Sequence, residues 1–135
     1  LYGVRFKYKK AKYIIEVREL FKASGSISVR EEIEKNNSPF EIREWLVKNV
    51  KGMGHKEASH FLRNIGKGND LAILDRHILK NLKLMEVIEK IPESLTPSKY
   101  IELEQTMREF SRKIGIPLDH LDIVLWYKET REIFK

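Results

Sequence analysis

Lys56 and Asp75 are the residues whose types and surroundings best suit chemistry. Lys56 follows the run Val50-Lys51-Gly52-Met53-Gly54-His55, in which two alternating glycines separate two helical patterns. A lysine amine is a nucleophile able to form a Schiff base. Its obstacle is protonation, since only about one ordinary lysine side chain in two thousand is neutral at pH 7. A helix start disfavours an ammonium through its dipole, and burial against a substrate disfavours it further. The same position equally suits a solvated or phosphate-binding lysine, and spacing alone leaves these readings open. Asp75 stands just before Arg76-His77-Ile78 and reads as a helix N-cap. A carboxylate locked by capping can also stabilise positive charge that develops on a substrate.

The glycines have a reading of their own. Glycine permits positive φ and close backbone approach, so two helices can be joined by a very tight turn. The second helix would then present main-chain N–H groups and the positive end of its dipole, a cradle for one phosphate. Gly52, Gly54, His55 and Glu57, with the main chain of Lys56, are the candidate phosphate contacts. A plain helix-to-helix turn is the alternative.

The bulk properties favour a polyanionic partner. The net charge is +6 and the sequence pI about 9.5, which draws a domain toward nucleic acid. The basic run Arg5, Lys7, Lys9, Lys10 and Lys12 is a solvated face or a contact to a flanking phosphate, each such contact adding about 0.9 to the salt slope. Hydrophobic residues make up 41% and charged residues 34% of 135 residues, enough for one domain with a core. There are no cysteines, which removes disulfides, thiolate metal sites, cysteine nucleophiles and iron–sulfur clusters. His55, His60, His77 and His120 lack metal-ligand spacing, so no catalytic metal is expected. No P-loop, GxGxxG run or serine triad is present, and no cofactor is expected. No apolar run approaches a bilayer span, and the start does not read as a secretory signal; the chain opens on Leu1 and is expected to be a fragment or a processed product.

The elements that must position these residues read as nearly all helix, with no convincing strand pair. Val4 to Lys22 carries Phe6, Ala11, Ile14, Ile15, Leu20 and Phe21 near a helical stripe. After Ser24-Gly25-Ser26, Ser28 caps a short helix through Glu34, with Glu31 placed for a capping box. Ser38-Pro39 opens a helix with Phe40, Ile42, Trp45, Leu46 and Val50. Further helices are expected from Gly54 or His55 to Ile65, from Asp75, from Thr96-Pro97 to Gly115, and after Pro117, the last turning Leu118, Leu121, Val124 and Leu125 inward. Each stripe is read as core.

The run VKGMGHKEASHFLRNIG, from Val50 to Gly66, followed by LAILDRHIL, resembles the helix-hairpin-helix DNA glycosylase superfamily. More narrowly, KEASHFLRNIG, LAILDRHI, the C-terminal DIVLWYKET and the early RFKYKKAKYI resemble the archaeal-type 8-oxoguanine DNA glycosylase/AP lyases, over essentially the whole chain. The resemblance implies an all-α helix-hairpin-helix bundle, with the motif at 39–66 and the carbonyls of Lys48, Val50 and Met53 where related hairpins often hold a structural cation. It also implies additional N-terminal helices that in the family help wedge the duplex and line the base pocket. Residues 1–135 are therefore expected to be a single glycosylase domain or its C-terminal two-thirds.

The same resemblance implies a bifunctional enzyme of base-excision repair that acts on double-stranded DNA containing 8-oxoguanine or abasic sites. Lys56 would be its Schiff-base nucleophile. Asp75 would stabilise positive charge on the sugar and assist proton transfers around the amine. Such chemistry requires the nucleotide to be flipped out of the stack. Trp126 matches the family's pocket tryptophan, although a core tryptophan is the competing reading, and Phe6 could supply an opposing wall. Lys135 matches a terminal lysine that, with its main-chain carboxylate, helps tell 8-oxoguanine from guanine; 8-oxoguanine carries an extra N7–H donor, so a discriminating pocket wants an acceptor there. The alternatives are a glycosylase for another damaged base and a non-enzymatic helix-hairpin-helix module that only grips DNA. A monomer, intracellular in the cytoplasm or nucleoid and away from membranes, is expected.

Overall fold

Side-chain caps open four of the described helices. The computed structural model describes residues 3–23, 26–36 and 38–131, in two compact units, Leu1–Gly54 and His55–Lys135.

The first unit contains α1 (Lys7–Leu20), β1 (Lys22–Ala23), β2 (Ser26–Ile27), α2 (Val29–Glu34) and α3 (Pro39–Asn49). Helix α3 opens as its sequence predicts. The Ser38 side chain accepts from Glu41 N–H while Glu41 reaches back to Ser38 N–H, and Pro39 fills the first turn. Helix α2 has only half of the expected capping box. Ser28 Oγ accepts from Glu31 N–H, but the Ser28 N–H donates to the Phe21 carbonyl at 2.9 Å. That bond continues a short antiparallel ladder pairing Lys22 with Ile27 and Ala23 with Ser26, a strand pair the sequence reading lacked because two residues per strand leave no period.

Helix α1 corrects the expectation more substantially. It starts at Lys7 rather than Val4, because Phe6 holds a left-handed φ of 58° and so cannot continue a right-handed helix. Its stripe is not core, since none of its residues is buried and Ile14 and Ile15 are more than half exposed. Phe21, just beyond it, is buried against Trp45 with ring centroids 5.9 Å apart.

The second unit holds α4 (His55–Asn64), α5 (Arg76–Leu84), α6 (Pro97–Ile114) and α7 (Leu118–Thr130). Thr96 caps α6 by accepting from Lys99 N–H, and Gly115 ends it at φ 71°. Helix α7 packs on both α5 and α6 around Ile78, Leu82, Leu103, Met107, Leu121 and Leu125. Val124, expected inward, is half exposed, and Asp122 takes its place in the interior. Among the described residues the fold is therefore all-α apart from the small ladder, and no helix is long and apolar enough to cross a membrane.

One link between α5 and α7 titrates. Lys80 Nζ donates to Glu129 Oε2 at 2.6 Å and Asn81 donates to Glu129 Oε1 at 3.2 Å. The Lys80 hydrogen bond, followed by its charge and by Asn81, holds the Glu129 carboxyl below the usual glutamate range. A folded-state pKa lowered in this way contributes stability above the unfolded value and loses it as pH falls through the folded one. Urea midpoints of the native protein and Lys80→Met should converge between about pH 7 and pH 3. A gap that stays constant over that range would mean the pair contributes nothing.

Candidate functional site

The run 39–66, read from the sequence as a helix-hairpin-helix, spans α3, the five-residue connection Val50–Gly54 and α4. Within the connection, Val50 N–H closes onto Leu46, and Met53 N–H donates to the Val50 carbonyl at 3.2 Å. One of the three carbonyls read as cation ligands, that of Val50, thus already closes the turn. Gly52 has φ +82°, whereas Gly54 is not among the glycines at positive φ.

Gly52 also lies against α1. A Cβ there would stand 2.6 Å from Tyr13 Cδ2, and the neighbouring Lys51 Nζ pairs with Glu16 of α1 at 3.1 Å. Gly52→Ala should cost about 1–2 kcal/mol from the left-handed backbone and a further ~1–3 kcal/mol from the clash. The double variant with Tyr13→Ala should recover the second part only. Denaturant midpoints separate the two, and a fully stable single variant would show that the turn has no need of glycine.

Lys56 lies in the first turn of α4, half exposed, with Nζ 3.3 Å from Glu57 Oε1. Glu57 is likewise exposed. The His55 side chain is buried against the Tyr100 ring, centroids 5.4 Å apart, which leaves its phosphate reading to the main chain. Asp75 is the N-cap the sequence predicts, with Oδ1 accepting from His77 N–H at 2.8 Å and Ile78 N–H at 2.9 Å. Lys56 and Asp75 thus occupy the N-terminal ends of two helices of one unit.

Trp126, on α7 of that unit, is partly buried against the core cluster, so it has an apolar backing and an accessible part. Phe6 belongs to the other unit, 64% exposed, with the Arg5 guanidinium 4.7 Å from its ring centroid. Lys135 lies outside the described residues. A cleft of about 410 Å³ lined by Asn69, Arg108, Arg112 and His120 contains none of the predicted site residues.

The sequence reading missed the groups that hold the approach to Asp75. Leu71–Leu74 are buried without regular structure, so their main-chain groups need partners. Ala72 N–H donates to Glu104 Oε1 at 2.8 Å, Ile73 N–H to Asp122 Oδ2 at 3.2 Å and Leu74 N–H to Tyr100 Oη at 3.3 Å. Arg63 donates both to the Leu71 carbonyl at 2.9 Å and to Asp122. Gly68 lets the loop lie on the α4 backbone, since a Cβ there would be 2.6 Å from Arg63 N. The available signal was Asp122 at i, i+3 and i+4 spacing among Leu118, Leu121 and Leu125, and Glu104 among Tyr100, Leu103 and Met107. A carboxylate inside an apolar stripe is buried for a reason.

Comparison with known proteins gives a family match and close relatives. Residues 1–116 match the family described as 8-oxoguanine DNA glycosylase. A Fusobacterium nucleatum protein named 8-oxoguanine DNA glycosylase/AP lyase is 51% identical over 132 residues, covering 98% of this chain and 61% of its own length. One of the same name from Korarchaeum cryptofilum is 44% identical over 133 residues, with the same shares covered. Among solved structures, the Methanocaldococcus jannaschii 8-oxoguanine glycosylase/lyase in complex with DNA containing 8-oxoguanine is similar, with TM-score 0.86 and 38% identity over 98% of this chain and 61% of that one. The chain spans about three-fifths of the length of the curated relatives it matches.

Proposed function

The chain belongs to the 8-oxoguanine DNA glycosylase family, and on that premise we propose that it works as a bifunctional glycosylase/AP lyase on 8-oxoguanine in double-stranded DNA. The observation that carries the reading is 51% identity along almost the whole chain to a protein named for both activities. The run 39–66 is its helix-hairpin-helix motif, and the main-chain N–H groups of Gly52 and Gly54 in the one unit and of His55, Lys56 and Glu57 in the other are each candidate phosphate contacts.

The neutral amine of Lys56 attacks C1′ of the flipped nucleotide, and the bond from C1′ to the base breaks. The base leaves with the bonding pair and takes up a proton. Loss of an amine proton opens the sugar ring to a Schiff base. Removal of a C2′ proton then expels the 3′ phosphate, and hydrolysis returns the lysine. Asp75 stabilises the cationic sugar and shuttles protons near the amine. Its cap geometry supports this role, because two main-chain donors already fix Oδ1. Trp126 is the platform for the base, Phe6 a separate candidate contact, and Lys135 a candidate pocket residue whose main-chain oxygen, not its ammonium, would accept from N7–H. No cofactor is needed. A monomer acting on chromosomal DNA in the cytoplasm or nucleoid fits the reading.

Borohydride reduction tests it, because it fixes a Schiff base covalently. A trapped band on duplex DNA with one 8-oxoguanine supports the whole reading. A band on abasic DNA alone keeps the lyase and moves the substrate to another damaged base. Salt-sensitive binding with no band on either duplex would reduce the protein to a DNA-gripping module.

A further inference from the structure

We propose that Tyr100 is a positioning residue for Asp75, tying the approach to α5 and the start of α4 to one side chain. The inference rests on the reading of Asp75 and Lys56 given above. Tyr100 is 3% exposed on α6. Its hydroxyl donates to the Ala72 carbonyl at 2.7 Å and accepts from Leu74 N–H at 3.3 Å. It therefore clamps the chain on both sides of Ile73, and Leu74 is the residue directly before Asp75.

The ring of the same side chain meets His55 at 5.4 Å, with 35° between the planes, and His55 directly precedes Lys56. Glu104 and Asp122 brace the same segment from α6 and α7. Tyr100 differs from these two by also packing its ring against the lysine's neighbour. Fixing a catalytic carboxylate requires its own backbone to be fixed, and an error of about 1 Å in such a group can cost on the order of a hundredfold in rate.

Tyr100→Phe separates the two contacts. It keeps the ring against His55 and removes the clamp, leaving Leu74 N–H and the Ala72 carbonyl without that partner. Base release under single turnover should fall on the order of ten- to a hundredfold, while affinity for the same duplex changes less than about threefold. Amide exchange should speed up at His77 and Ile78, whose N–H groups bond Asp75, and remain slow at Met107 in the core. Ile88 is buried in the core cluster of the same unit, so Ile88→Val, which removes one methylene there, serves as the control for lost stability, and its rate should stay native.

A native rate in Tyr100→Phe, or exchange that rises equally at His77, Ile78 and Met107, overturns the positioning role. If the unaltered protein releases no base and forms no trapped adduct, the proposed function fails. The exchange comparison still decides whether Tyr100 holds Asp75.

Discussion

Lys56→Gln is expected to abolish the borohydride-trapped complex and to lower base release by on the order of 10⁴-fold or more, the scale met when a covalent catalyst loses its nucleophile. Glutamine is polar and of similar reach, but its amide nitrogen has no basic lone pair with which to attack C1′. The fold should be unaffected, since Lys56 is half exposed and its paired neighbour is the equally exposed Glu57. Breaking an exposed ion pair of that kind changes stability by at most about 1 kcal/mol.

Binding is the informative companion measurement. If Lys56 acts only as a nucleophile, affinity for an undamaged duplex and its dependence on salt should stay nearly native. If it is a phosphate ligand instead, the salt slope should fall by about 0.9 while the trapped band persists. A variant that still traps would move the Schiff base to another amine and dismiss Lys56 from the chemistry.

The division between what could and could not be read from the sequence follows the range of the interactions. Ser38, Asp75 and Thr96 were legible as caps because each bonds within three residues of itself. Gly52 was legible because its backbone needs positive φ within the turn itself. The Leu71–Leu74 cradle was not, since Glu104, Tyr100 and Asp122 reach it from 26 to 49 positions away. Periodicity also misplaced Val124. On α7, Asp122 occupies the interior because Arg63 and Ile73 N–H neutralise the cost of burying it, and an apolar stripe gives no notice of such partners. Helix α1 shows the converse, an apolar pattern without burial, because periodicity records what a face could cover and not what covers it.

Asp75 is where a structural role and a chemical one coincide, and two substitutions should pull them apart. Asp75→Asn retains an oxygen that can accept from His77 and Ile78 N–H, and asparagine caps helices about as well as aspartate. It gives up the charge–dipole attraction, about 0.3–1 kcal/mol. Asp75→Ala removes the cap as well, at about 0.5–2 kcal/mol. If Asp75 stabilises the cationic sugar, both variants should lose on the order of 10²–10³ in base release, the magnitude typical of one preorganised electrostatic group. Stability should fall clearly in the alanine variant alone. DNA affinity should hold or tighten in both, because a negative charge beside the backbone is gone. The opposite pattern, a native rate in Asp75→Asn with loss confined to Asp75→Ala, would make the residue a cap and nothing more. The positive charge on the sugar would then have to be met by another carboxylate or by the leaving base itself.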